Sequence, residues 1–223
     1  MTALDGITVA VLGGTGPQGR GLARRWAAAG IPVVIGSRDA GRAAEAAAEL
    51  ADATGGDLRG LSNGDAAAAG DVVLVSVPYD GHAELLRTLE PVLAGKVVVD
   101  CVNPLGFDRQ GAYALEVPDG SAAQEAAALL PESTVVAAFH HVSAVVLNDP
   151  EVGSVDTDVL VLGEAEHRDA TDLVRALADA IPGVRGVYAG RLRNARQVEA
   201  LTANLIAINR RYQAHAGIRV TDV

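Results

Sequence analysis

Short runs of Val, Ile and Leu alternate with longer Ala-rich stretches along the chain, and this alternation predicts strands and helices in turn. The apolar runs fall at 7–12, 32–35, 72–77, 96–102, 135–140, 159–162 and 185–188. Several are continuous rather than alternating, which suits parallel strands covered on both faces by helices. Helices are placed by their punctuation. The stretch 17–29 stops at Gly30, 40–53 stops before Gly55 and Gly56, and Ser121 with Gln124 reads as a capping box for 122–130. Residues 106–120 hold three glycines and a proline and read as loop. A last helix over 194–214 carries Val198, Leu201, Leu205, Ile208 and Tyr212 in steps of three and four, so one face is expected to be buried. The pattern predicts an α/β fold, a doubly wound, mostly parallel Rossmann sheet with a smaller C-terminal helical portion.

Composition narrows the class. Of 223 residues, 49% are apolar and 21% charged, enough for a substantial core. No apolar run approaches the roughly 18 to 20 residues of a membrane span. The first residues show no basic segment followed by an apolar one, so neither a membrane protein nor a secreted one is expected, and a cytoplasmic location follows. The net charge of -10 argues against a nucleic-acid partner. Within this acidic chain, Arg191, Arg193, Arg196, Arg210, Arg211 and Arg219 face only Glu199, a local reversal that suits an anionic small ligand or a wet helix face. Cys101 stands alone, without partners for a disulfide or a zinc site.

The sharpest motif is Gly14-Thr15-Gly16-Pro17-Gln18-Gly19, directly after the first strand and opening a helix. A lone GxGxxG is weak evidence, but here it sits inside a strand-helix-strand unit of about 30 residues, the context in which backbone N–H groups at a helix N-terminus hold a pyrophosphate. Gly14 is assigned the tight turn, Gly16 the close approach of the phosphates, and Gly19 the packing of helix on strand. After the second strand, an NAD enzyme carries an acid for the ribose hydroxyls. This chain has Ser37 and Arg38, with Arg42 one turn on, and Asp39 one place beyond the acid's position. Arginine suits a 2'-phosphate and stacks on adenine, so NADP is the expected nucleotide.

Four further motifs extend the reading: Gly36-Ser-Arg, Ser76-Val-Pro, Phe139-His-His-Val-Ser-Ala, and Arg193-Asn-Ala-Arg-Gln-Val-Glu-Ala-Leu-Thr leading to Asn204-Leu-Ile-Ala-Ile-Asn. With the glycine loop they span most of the chain, and together they resemble the NADPH-dependent reductases of coenzyme F420, an 8-hydroxy-5-deazaflavin. The chain departs from the family's usual pattern at His141 and Ser143, where threonine and proline are common. The resemblance implies direct hydride transfer between NADP(H) and the deazaflavin in a cleft. By motif, Thr15 to Gln18, Ser37, Arg38 and Arg42 would hold the adenosine half. Val77, Pro78, Asn103 and Ala144 would lie near the nicotinamide, and His140 and Val142 would border the deazaflavin ring. Residues 1–141 would form the NADP-binding domain and 142–223 a smaller domain completing the cleft, in a homodimer whose partners are small-molecule cofactors.

Hydride exchange between two bound coenzymes needs no nucleophile and no metal, and the chain offers no HExxH, no GxSxG and no cysteine cluster. No catalytic residue is therefore assigned, although His82, His140 and His141 are each able to donate a proton. His140 and His141 read as neighbours on a strand, pointing to opposite faces, and one of them as packing. Two other functions fit the same fold: an NADPH-dependent imine or ketone reductase, and a non-catalytic module that senses NADPH.

Overall fold

The computed structural model describes residues 3–223. The first half repeats strand and helix: β1 (Val9–Leu12), α1 (Pro17–Ala28), β2 (Val33–Ser37), α2 (Ala40–Thr54), β3 (Leu58–Ser62), α3 (Asn63–Ala69), β4 (Val72–Val75), α4 (His82–Leu93) and β5 (Val97–Asp100). A hairpin of β6 (Leu105–Asp108) and β7 (Gly111–Ala114) follows, then α5 (Ala122–Leu129) and β8 (Thr134–Ala137). The chain closes with α6 (Ala144–Asn148), β9 (Thr157–Val161), α7 (Arg168–Asp179), β10 (Val184–Tyr188) and α8 (Ala195–Tyr212).

Six parallel strands make the central sheet in the order β3-β2-β1-β4-β5-β8, so the doubly wound fold expected from the sequence is the fold observed. Each strand of the centre is buried on both faces. In β1, Val9 and Val11 join one apolar cluster with Trp26 and Phe139, while Ala10 and Leu12 join the other with Leu86 and Leu93. Strand order reverses between β1 and β4, and a crevice opens beyond their carboxyl ends, the place where such sheets bind ligands.

All seven apolar runs contain strands, but three of them overshoot. The chain leaves the sheet at Val75, Asp100 and Ala137, so 76–77, 101–102 and 138–140 are loop. Residues 106–120 are not all loop: β6 and β7 pair there, turned by Asp108, whose Oδ1 accepts from the N–H of Gln110 at 2.7 Å and of Gly111 at 3.1 Å. β9 and β10 form a separate parallel pair, joined to the edge of the main sheet by a bridge between Ala137 and Leu162. Trp26 Nε1 donates to the Leu177 carbonyl at 2.8 Å, tying α1 to α7 in the same core. The stripe on α8 is buried only in part. Val198 and Leu205 are covered, whereas Ile208 and Tyr212 emerge into solvent.

Candidate coenzyme site

Glycines shape the turn between β1 and α1 because side chains would collide there. Gly13 has φ +73°, and a Cβ on it would lie 2.3 Å from the Ser76 carbonyl oxygen. The tight turn therefore belongs to Gly13, one place before the expected Gly14, whose N–H is bonded to the carbonyls of Val11 and Gly36 at 3.1 and 3.0 Å. Gly19 has the assigned role: a Cβ there would meet Gly14 Cα at 2.9 Å and Val11 Cγ1 at 3.0 Å. Gly16 is the N-cap of α1, with no side chain capping that end and Pro17 following. The unmet N–H groups of the first turn thus face the crevice, ready for an anion.

A cleft of 750 Å³ extends from this turn, lined by Thr15 and Gly16 at its centre, Ser37, Arg38 and Arg42 at one end, and Val77 and Pro78 at the other. Asn63, Asp80, Glu84 and Leu85 also line it, and the motifs did not single them out. Asp39 is spent on structure. Its Oδ1 caps α2 by accepting from the N–H groups of Gly41 at 2.9 Å and Arg42 at 3.2 Å, and its own N–H donates to Ser37 Oγ at 3.2 Å. Arg38 and Arg42 are exposed and have no ion-pair partner among the described residues. That end of the cleft holds two guanidinium groups in no ion pair, a hydroxyl, and the carboxylate of Asp39, which is engaged in capping α2.

The other expected residues form a second group, a wall made by 139–144. Phe139 sits in the left-handed region at φ +65°, which costs a non-glycine residue about 1 to 3 kcal/mol. Three elements hold it and its neighbour in place. Its ring packs edge-on against Trp26 at 5.4 Å, its carbonyl accepts from Gln18 Nε2 at 3.2 Å, and the His140 carbonyl accepts from Asn103 Nδ2 at 2.8 Å and Thr202 Oγ1 at 3.2 Å. Val142 is buried, and Ser143 caps α6, so Ala144 is the first residue of a helix. Of the expected residues, Thr15, Gly16, Ser37, Arg38, Arg42, Val77 and Pro78 line the cleft. Asn103, His140, Val142 and Ala144 gather at the wall, and Pro17 and Gln18 join the two groups.

His140 and His141 are both buried, at 3% and 5% exposed, and all four ring nitrogens lack a hydrogen-bond partner. The expectation that they alternate on a strand fails because β8 ends at Ala137. Burial pushes each imidazole down to about 4, so both are neutral at pH 7. A neutral imidazole offers one N–H and one bare nitrogen, and buried groups of this kind are normally satisfied.

His82 is satisfied completely. Its Nε2 meets Asp100 at 2.6 Å and its Nδ1 meets Glu125 at 2.9 Å. Burial alone would lower this imidazole, but the two carboxylates outweigh it and raise it to about 9. Nearby, Glu199 reaches from α8 to the start of α5, accepting from the N–H groups of Ala122 at 3.0 Å and Ala123 at 3.1 Å, and burial pushes it up to about 7 despite these bonds. The cluster locks α4, β5, α5 and α8 together behind the cleft. Cys101 is inert: burial, with Asp100 beside it, pushes the thiol up to about 12. No group of three or more His, Cys, Asp and Glu among the described residues is arranged to hold a metal ion.

The basic C-terminal segment divides. Arg219 joins Arg185 on the buried Asp158, and these bonds hold that carboxyl well below the usual range. Arg191 pairs with Glu164 at 3.2 Å. Arg193, Arg196, Arg210 and Arg211 remain exposed without a paired acid among the described residues.

Residues 8–104 match the family described as NADP oxidoreductase, coenzyme F420-dependent. A protein of Methanothermobacter thermautotrophicus named F420-dependent NADP reductase is 40% identical, with 96% of this chain and 95% of that one aligned. One of the same name from Methanocaldococcus jannaschii is 41% identical over 96% of this chain and 98% of its own. A crystal structure from an Arthrobacter species, described as a candidate F420-dependent NADP-reductase, superposes with a TM-score of 0.78 at 24% identity, covering 97% of this chain and all of the other, and so shares the fold. The chain belongs to the family of F420-dependent NADP reductases.

Proposed function

We propose that this protein exchanges a hydride between NADP(H) and coenzyme F420, binding the nucleotide in the 750 Å³ cleft and the deazaflavin against the wall made by 139–144. The observation that carries this reading is Gln18. It belongs to the first turn of the phosphate helix, and its side chain bonds the Phe139 carbonyl, so one residue ties the nucleotide turn to the acceptor wall.

The residues fit the two coenzymes. A phosphate fits the N-terminal turn of α1, where glycines leave room and N–H groups lack acceptors. A 2'-phosphate fits Ser37, Arg38 and Arg42, and Oδ1 of Asp39, which lines the same cleft, is engaged in capping α2. Val77 and Pro78, with Asn103 and Ala144 beyond them, take the nicotinamide end. The unpartnered ring of His140 and the buried Val142 border the deazaflavin. The bound coenzymes supply the chemistry, a hydride passing directly between their reactive carbons. The chain's part is to hold those carbons about 3 to 3.5 Å apart and keep water out, which explains a site built from backbone turns and locked loops instead of an acid-base pair.

We place the enzyme in the cytoplasm, where both coenzymes would be free in solution; among the described residues no helix is long and apolar enough to cross a membrane. We also read it as a homodimer. Phe107 on the hairpin is 69% exposed and Tyr212 on α8 is 73% exposed, with Tyr113 and Ile208 also open on these packed elements. In the same reading, residues 142–223 act as a small domain that completes the cleft. Mixing the protein with NADPH and oxidised deazaflavin tests the function: the visible absorbance of the deazaflavin falls with turnover. NADPH oxidation by imines or ketones without any reaction of the deazaflavin overturns it.

A further inference from the structure

Helix α1 begins at the phosphate turn, and its middle grips the segment that follows the acceptor wall. Gly21 and Arg25, one helical turn apart on one face, make that grip. A Cβ on Gly21 would lie 2.6 Å from Leu147 Cβ and 2.9 Å from Asn148 Nδ2, so α6 sits closer to α1 than any side chain there would allow. Arg25 is only 7% exposed and bonds no carboxylate. Its Nε donates to the Leu147 carbonyl at 2.9 Å, its Nη1 to Val152 at 2.7 Å, and its Nη2 to Val146 at 2.7 Å and Asp149 at 3.2 Å.

Those acceptors lie at and just beyond the C-terminus of a five-residue helix, where carbonyls have no partner within the helix and a cation suits the dipole. Burying a guanidinium whose donors reach no carboxylate is costly, even with Asp149 nearby, and an apolar residue would fill the space at lower cost. What the arginine adds is a fixed geometry: a planar fork whose donors all go to one short stretch of backbone. Gln18, Asn103 and Thr202 anchor the start of the wall at 139–140, and Arg25 anchors the stretch just after it. Asn148 adds a bond from its Nδ2 to the Pro17 carbonyl at 2.8 Å.

We propose that Gly21 and Arg25 are positioning residues for hydride transfer, which through α6 set the distance between the acceptor wall and the helix that carries the phosphate turn. This rests on the reading that 139–144 borders the deazaflavin. A displacement of about 1 Å at a hydride site costs about a hundredfold in rate, so the grip need not fail completely to be felt.

The variants Arg25→Lys and Gly21→Ala test it. Lysine keeps the charge but loses the fork, and alanine pushes α6 outward while leaving Arg25 in place. In the protein without coenzymes, amide exchange at 144–149 rises about tenfold in both, while exchange in β1 stays unchanged. NADPH affinity stays within about threefold, and the single-turnover rate constant, counted per active site, falls about tenfold or more. A merely structural role predicts fewer active sites or a lower Tm with the rate constant per site unchanged, and that result overturns the proposal. Val142→Ala, at a residue read as bordering the deazaflavin, separates the two levels. If it leaves deazaflavin binding unchanged, the site reading fails and the proposal with it. If it weakens binding while the α1 variants keep the full rate constant, the positioning role alone is wrong.

Discussion

Gln18 donates from Nε2 to the carbonyl of Phe139 at 3.2 Å, across 121 positions of sequence. Phe139 holds a left-handed backbone that a phenylalanine rarely adopts, so this bond stabilises a strained turn at the place where the two halves of the site meet. Replacing Gln18 by Ala removes the side-chain donor and leaves the backbone of the phosphate turn intact. The expected result is a fall of about fivefold in kcat/KM for the deazaflavin, the size of one ordinary hydrogen bond of about 1 kcal/mol. NADPH affinity should change by less than about twofold. A loss confined to NADPH binding would show that the bond serves the nucleotide turn alone.

Arg38 and Arg42 give the cleft its positive end, and neither is neutralised by an acid. Arg38→Ala should weaken NADPH binding by about 1.5 to 3 kcal/mol, the range for a hydrogen bond to a charged group, and should barely affect NADH. Titrating both nucleotides against wild type and variant checks it. Equal affinity of the wild type for NADH and NADPH would refute the assignment of this end to the 2'-phosphate.

The fold was legible because its core strands are apolar on both faces. β3 was missed for the opposite reason: Leu58–Ser62 is an edge strand with a half-exposed pattern, and its sequence carries no apolar run. The overshooting runs are more instructive. Val77, Val102 and Phe139 continue the apolar pattern past the ends of β4, β5 and β8, because they pack against core or line the cleft after the ladder has stopped. Hydrophobicity reports burial there, not strand. In the candidate site, the glycine turn and Arg38 could be read from spacing, but Thr202, Asn63 and the grip of Arg25 could not. Each depends on a contact between segments far apart in sequence, and no local pattern distinguishes the buried Arg25 from the half-buried Arg20 and Arg24.

His82 makes stability depend on pH. Its imidazole is raised from 6.5 to about 9 in the fold by Asp100 and Glu125, which overcome the effect of burial. The stabilisation is therefore fully present below pH 6.5 and is lost as pH rises through 9. The Tm of wild type should fall across that window, whereas His82→Gln, less stable at pH 6.5, should show a flatter profile and approach the wild type at high pH. Parallel profiles for the two proteins would mean that His82 is not charged in the fold.

The exposed aromatic and aliphatic groups on the hairpin and α8 give a test of assembly. Phe107→Asp combined with Tyr212→Asp places two charges where the reading puts a subunit contact. The wild type should sediment as a dimer and the double variant as a monomer with an unchanged Tm transition shape. A monomeric wild type would remove the dimer from the account.

Direct hydride exchange is the central claim, and isotope transfer tests it without reference to any variant. NADPH carrying two deuteriums at the reactive nicotinamide carbon, mixed with the protein and oxidised coenzyme F420 in ordinary water, should give reduced deazaflavin that retains one deuterium. Reduced deazaflavin carrying only solvent hydrogen, or no reduction at all, would contradict a site built to place two coenzyme carbons in contact.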